Sequence, residues 1–375
     1  MAGFLLRSVV LLLHREVMAL PQGGADEVGF ERMAWTLSQH GREPITAYFS
    51  SGARFLAYLG SFIYDIGGRE PYVLGVLMVL IGTALIYIAY RAAVELWEDR
   101  TAARLVALAC ALFPQFVQHS ALFLRETPAA FCLAVASYSA VRFLKRHSLP
   151  QIAWFSLWVF LGALFHSGVI FAAPALLVGI VLVRERRSRR RFGFYAINAT
   201  AALALIGVIF WVNETGFGLG KFGGSLDEAL GTFETQETLD PRGGAAFPEW
   251  MQLRGGGSDA WKVPVRYVTF LFSPLIPFMV RSPRHLLGVV DAVLYLLFFW
   301  ILLRNWQEVR KNRAAGVLLV IMLALFLVYS LGVSNFGTAI RHRAKVAPLL
   351  LLLSSGLPAL RLRRAEPSPM QSVCE

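Results

Sequence analysis

The sequence predicts an all-α, polytopic transmembrane helical bundle of about nine or ten spans with two long extracytoplasmic loops. Three observations carry that prediction. Of the 375 residues, 56% are hydrophobic and only 16% are charged, against about 25% charged in a soluble domain. The mean hydropathy is +0.56, and the apolar residues come in blocks at 73–95, 103–123, 151–183, 194–212, 286–303 and 315–333. A helix needs about 20 such residues to cross a hydrocarbon core of roughly 30 Å. Finally, basic residues gather beside the ends of these blocks, at 142–147, 184–191, 304–313 and 361–364. Within a bilayer only helices and closed barrels satisfy their backbone groups, and the blocks lack the alternation that a barrel needs.

Taken in order, residues 4–20 read as a first span, short and interrupted by Arg7. They lack the small-residue cleavage site of a signal peptide. Placing the basic clusters on the cytoplasmic side puts loops 21–72 and 213–262 outside. The run 151–183 is too long for one span, and a break at His166-Ser167-Gly168 turns it into a tight helical hairpin. Segment 263–280, with Pro264, Pro274 and Pro277, reads as re-entrant or interfacial on the outer side, which keeps 304–313 inside. Residues 1–364 form a single integral membrane domain of the inner (cytoplasmic) membrane, and 365–375 form a polar, disordered cytoplasmic tail. No internal repeat is visible.

The net charge of +12 follows the positive-inside pattern and suits contact with anionic lipid. It does not indicate nucleic acid, because no polar module rich in aromatic residues accompanies it. Cys110, Cys132 and Cys374 offer neither metal spacing nor a disulfide framework. The pattern leaves room for a divalent cation without requiring one.

Ionisable residues at membrane depth, or where a span meets a loop, are expensive and therefore candidates for function. Four places qualify. Asp26 and Glu27 open a segment whose apolar positions Phe30, Met33, Ala34 and Leu37 follow helical spacing; Asp26 is either a helix N-cap or a general base. Arg125 and Glu126 lie between two apolar blocks, as an ordinary loop pair or as a phosphate ligand and its partner. His166 marks the predicted break, where a structural histidine and a substrate ligand are both tenable. Arg341, His342, Arg343 and Lys345 precede the last span. Positive-inside statistics disfavour an outer position for these cations, whereas guanidinium forks suit phosphate oxygens.

The first of these segments, through Asp26, Glu27, Phe30, Ala34, Leu37 and Gly41, resembles the acidic first outer loop of the GT-C glycosyltransferases. It is most similar to bacterial proteins of family 39, the dolichyl-phosphate-mannose-protein mannosyltransferase-like group. Ala111-Leu112-Phe113-Pro114, Ser120, Arg125 and Glu126 resemble a second passage of that family. Asn335, Gly337, Arg341, His342, Arg343 and Pro348 resemble the pattern before a late span in relatives. The layout covers roughly residues 20–350, though each motif is short, and the large C-terminal domain of some members has no counterpart.

The resemblance implies transfer of a sugar from a polyprenyl-phosphate donor to a glycan, lipid or protein acceptor at the extracytoplasmic face. It implies Asp26 and Glu27 as catalytic carboxylates, and Arg125, Glu126, His166, Arg341, His342 and Arg343 as substrate ligands. Two rivals share the architecture. An O-antigen or exopolysaccharide polymerase would use outer arginines on a lipid-pyrophosphate sugar. A lipid-oligosaccharide transporter would distribute its charges through the membrane depth.

Overall fold

The structure, a computed structural model, describes residues 1–20, 24–49, 51–183, 246–251, 261–275, 284–333 and 335–356. The expected span 194–212, the basic clusters 184–191 and 361–364, most of loop 213–262 and the tail lie outside these residues.

Helix α1 (Ala2–Glu16) has 15 residues, and at 1.5 Å each it is about 22 Å long, short for a full crossing. Arg7 is fully buried in it. Its guanidinium donates to the carbonyls of Gly3 (3.0 Å), Ala111 (3.1 Å) and Cys110 (2.9 Å). The expected outer loop is largely helical. Helix α2 (Ala25–His40) starts at an uncapped Gly24 with Asp26 and Glu27 in its first turn, where negative charge complements the helix dipole. Asp26 is thus not the N-cap. Helix α3 (Gly52–Gly67) follows and buries Phe55, Leu56, Gly60 and Tyr64. A Cβ on Gly52 would lie 1.8 Å from the carbonyl oxygen of Phe165, so only glycine permits this backbone approach.

Helix α4 (Pro71–Trp97) runs for 27 residues. It has Pro71 in its first turn, where the missing N–H costs nothing. The Glu70 carboxylate accepts from Tyr72 N at 3.3 Å. The apolar block 103–123 is not one straight span. Helix α5 (Arg100–Leu112) stops where Pro114 forces Phe113 into extended geometry, and a short α6 (Pro114–His119) follows. Helix α7 (Glu126–Arg146) pairs with α8 (Leu149–Phe165). The break in 151–183 falls where the sequence places it, at a 3₁₀ turn, Ser167–Phe171. The expected tight hairpin does not form, because α9 (Ala172–Leu182) lies along α13, with Gly179 against Val317.

After the 3₁₀ turn Glu249–Met251 come α10 (Lys262–Phe272), α11 (Arg284–Arg304), α12 (Trp306–Lys311), α13 (Arg313–Leu331) and α14 (Phe336–Ser354). Helix α10, at 11 residues, is too short to cross. Its buried Arg266 donates to the carbonyls of Met251 (3.1 Å), Ser330 (3.4 Å), Leu331 (3.2 Å) and Val333 (2.8 Å). Helices α4, α7 and α13 are long and apolar enough to cross a membrane. Among the described residues the only β pairing is an isolated bridge between Ala246 and Asn335.

The bundle has two chemically different ends. At one, Lys145 pairs with Glu98 (2.7 Å) and Arg146 with Glu95 (2.9 Å). Asn312 donates to Leu96 O (2.8 Å) and Trp97 to Leu352 O (2.9 Å). Basic clusters 142–147 and 304–313 therefore share this end. At the other, α2 is clamped to α3: Glu31 accepts from Tyr64 (2.9 Å) and from both Nε and Nη2 of Arg69 (2.9 Å each). Hydrogen bonds from Arg69 hold the Glu31 carboxyl below the usual carboxylate range. A depressed carboxyl pKa contributes stability that is present at neutral pH and lost as pH falls through the folded-state value. Glu31→Ala is expected to cost about 1 kcal/mol at pH 7, the low side because Arg69 stays half-exposed. Thermal unfolding in detergent should show variant and wild type converging below about pH 4.

Candidate active site

Six segments meet at the end of the bundle opposite the basic clusters: the first turn of α2, the end of α6, the start of α7, the turn at His166, the end of α13 and the second turn of α14. The last is positioned by Asn335, whose side chain caps α14 by accepting from Thr338 N at 2.8 Å.

Arg341 is the hub. Its Nε donates to Glu126 Oε1 at 3.0 Å, and Nη2 lies 2.9 Å from the same oxygen. Nη1 pairs with Asp26 Oδ2. One guanidinium therefore joins two carboxylates that lie 315 and 215 positions before it in the chain. Asp26 keeps 47% of its side chain exposed, whereas Glu126 keeps 2%. Lys345, one helical turn beyond Arg341, is fully buried and places Nζ 3.6 Å from Glu126 Oε1. Glu126 Oε2 has no hydrogen-bond partner among the described residues. Beside it is a small cleft lined by Gly82, Leu85, Phe116, His119, Glu126, Thr127, Ala130 and Ala344. Arg125, half-buried, precedes Glu126 at the start of α7.

His166 and His342 stack edge to face with ring centroids 4.7 Å apart, and Tyr329 lies 5.2 Å from the first and 5.0 Å from the second. A Cβ on Gly168 would fall 2.3 Å from the Tyr329 ring. That close approach seats the His166 turn against α13.

Of the eight residues that the sequence singles out, six converge: Asp26, Arg125, Glu126, His166, Arg341 and His342. Two face elsewhere. Glu27 is 1% exposed and is held by His14 Nε2 and Arg15 Nη2, each at 2.7 Å. It ties α2 to α1. Arg343 is fully buried. Its Nη1 donates to the carbonyls of Phe270 (3.0 Å), Leu271 (2.7 Å) and Ser273 (2.8 Å), and Nη2 donates to Asp291 Oδ2 (2.6 Å). It caps the C-terminal end of α10 and binds it to α11. The expected phosphate ligand is a structural cation, because two positions along a helix turn a side chain by about 200°. Two residues of the site, His119 and Tyr329, were missed. Lys345, counted among the cations before the last span without a role of its own, also reaches the site, and its i, i+4 spacing from Arg341 was the available signal. Among the described residues no group of three or more His, Cys, Asp or Glu side chains is placed to hold a metal ion.

Comparison with solved structures places this arrangement in a known fold. The structure matches the crystal structure of ArnT from Cupriavidus metallidurans bound to undecaprenyl phosphate, with a TM-score of 0.54, over 94% of this chain at 16% identity. The chain thus has the fold of that structure, the GT-C fold. It spans 59% of the length of the ArnT chain. The family model for dolichyl-phosphate-mannose-protein mannosyltransferase matches residues 52–211, less than half of this chain. That stretch includes His119, Arg125, Glu126 and His166 and leaves Asp26 and Arg341 outside it. No curated protein sequence matches.

The different duties of the two arginines are separable. Arg343→Met leaves Asp291 buried without its partner, a loss of roughly 3–5 kcal/mol, seen as a lower unfolding temperature. The double replacement Arg343→Met with Asp291→Leu is expected to recover most of it, since a packed apolar pair removes the uncompensated charge.

Proposed function

We propose that the chain is a membrane glycosyltransferase. It moves a sugar from a polyprenyl-phosphate donor to an acceptor hydroxyl at the extracytoplasmic face of the inner membrane, in cell-envelope or polysaccharide biosynthesis. The observation that carries this reading is the contact of Arg341 with both Asp26 and Glu126 at the end of the bundle away from the basic clusters. The GT-C fold supports it, as does the likeness to a structure whose title names undecaprenyl phosphate.

A lipid donor keeps its isoprenoid chain in the bilayer, so its phosphate reaches only groups at the membrane edge. Arg341, with Arg125 nearby, offers charge-assisted donors to such a phosphate. Arg341 is shared by two carboxylates. A phosphate competes for the same guanidinium, and its arrival releases Asp26, the more exposed of the two, toward the acceptor. The acceptor oxygen then forms its bond to the anomeric carbon while the bond from that carbon to the phosphate oxygen breaks. Asp26 takes the hydroxyl proton, and the negative charge left on the departing lipid phosphate is stabilised by cations already in place. His342, His166 and Tyr329 form a ring surface beside the reacting groups, suited to an apolar sugar face.

Asp26→Asn is expected to slow consumption of a panel of synthetic undecaprenyl-phosphate sugars by about 10²-fold or more, in a chain that still folds. Release of undecaprenyl phosphate, followed by mass spectrometry, is the readout. Glu27→Gln should lower stability instead. Full activity in Asp26→Ala alongside loss in Arg341→Ala would favour the polymerase, whose pyrophosphate donor needs the arginine and not the base.

A further inference from the structure

We infer that Lys345 is a phosphate ligand of the donor, held ready for it by Glu126. The inference rests on the donor class proposed above.

Three cationic side chains, Arg125, Arg341 and Lys345, stand against two carboxylates, Asp26 and Glu126, and Asp26 is half in solvent. Lys345 is fully buried. Its sole ion-pair partner among the described residues is Glu126 Oε1, at a distance too long for a hydrogen bond, and that oxygen is already shared with Arg341. Lys345 Nζ makes no hydrogen bond. Taking an ammonium out of water costs several kcal/mol unless geometry and hydrogen bonding repay it. One shared oxygen at 3.6 Å does not.

Buried pairs that serve structure look different in this same helix. Arg343, two residues earlier, meets one carboxylate oxygen and three carbonyls at 2.6–3.0 Å. Lys345 has the burial of a structural cation without the partners of one. It lies one turn along α14 from Arg341, so the two present their charges on one face. Glu126, which both cations meet, lines a cleft with Thr127, Ala130 and Ala344. An anion with several oxygens entering there gains the donors that Glu126 Oε1 now has to divide, and it balances the excess cation. Tyr329, whose ring lies 5.8 Å from Nζ, fixes the ammonium's other side. Glu126 is then the positioning residue that holds both cations while the donor is absent.

The test uses the full chain in detergent and two probes, undecaprenyl phosphate and the uncharged undecaprenol. Wild type is expected to bind the phosphate form more tightly. Lys345→Met should lower affinity for undecaprenyl phosphate about tenfold or more and leave that for undecaprenol unchanged; a folding defect would reduce both. Its unfolding temperature without lipid should not fall, because the change removes an ill-paired buried charge. Lys345→Gln carries the same test if the methionine variant is not recovered folded. Equal preference for phosphate in variant and wild type would overturn the assignment of Lys345 and leave the transferase reading standing. A wild-type chain that does not distinguish the two lipids would overturn both.

Discussion

The arrangement depends on one guanidinium. Arg341 joins the first turn of α2 to the first turn of α7 from its own place in α14, and no other described side chain reaches both carboxylates. Neither carboxylate would sit there without it. Glu126 is buried, where an uncompensated charge is costly, and Asp26 opens α2, a helix packed chiefly on α3. What holds α2 in place is a set of ion pairs around its first two turns: Glu27 to α1, Asp26 to α14, Glu31 to Arg69 and Tyr64. Three successive acidic positions point three ways, so the helix is fixed in rotation as well as position.

The helical membrane architecture was readable in the sequence, and so were most of the ionisable residues that the fold brings together, since apolar block length, basic clusters and stranded ionisable residues are one-dimensional signals. Direction was not. Asp26 and Glu27 are adjacent in the chain, yet one meets α14 and the other α1. Arg341 and Arg343 are nearly adjacent, yet one sits at the cleft and the other is sunk between α10 and α11. These residues belong to helices, so each step of the chain turns the side chain by about 100°. Treating residues 334–345 as a loop before a span gave all its cations one destination. Recognising that Asn335 caps a helix would have separated them.

Long apolar blocks also overstated straightness. Pro114 divides 103–123, and the turn after His166 divides 151–183. Both divisions lie at the site. Segments that cross a bilayer without interruption satisfy their own backbone and offer little to a ligand. Where a helix stops short, its end and its polar side chains become available, and here His119, Arg125 and His166 come from those interruptions. The departures from ideal spans thus coincide with the chemistry.

The two buried cations of α14 show how the same helix serves stability and function. Arg343 turns both terminal nitrogens to the protein: it closes the end of α10, whose carbonyls have no helical partner, and neutralises Asp291. Lys345 leaves its capacity unused in an equally buried position. Replacement by an apolar residue would relieve a desolvated charge. On the proposed reading, beside an arginine shared by two carboxylates, the complement that Lys345 calls for is a multiply oxygenated anion.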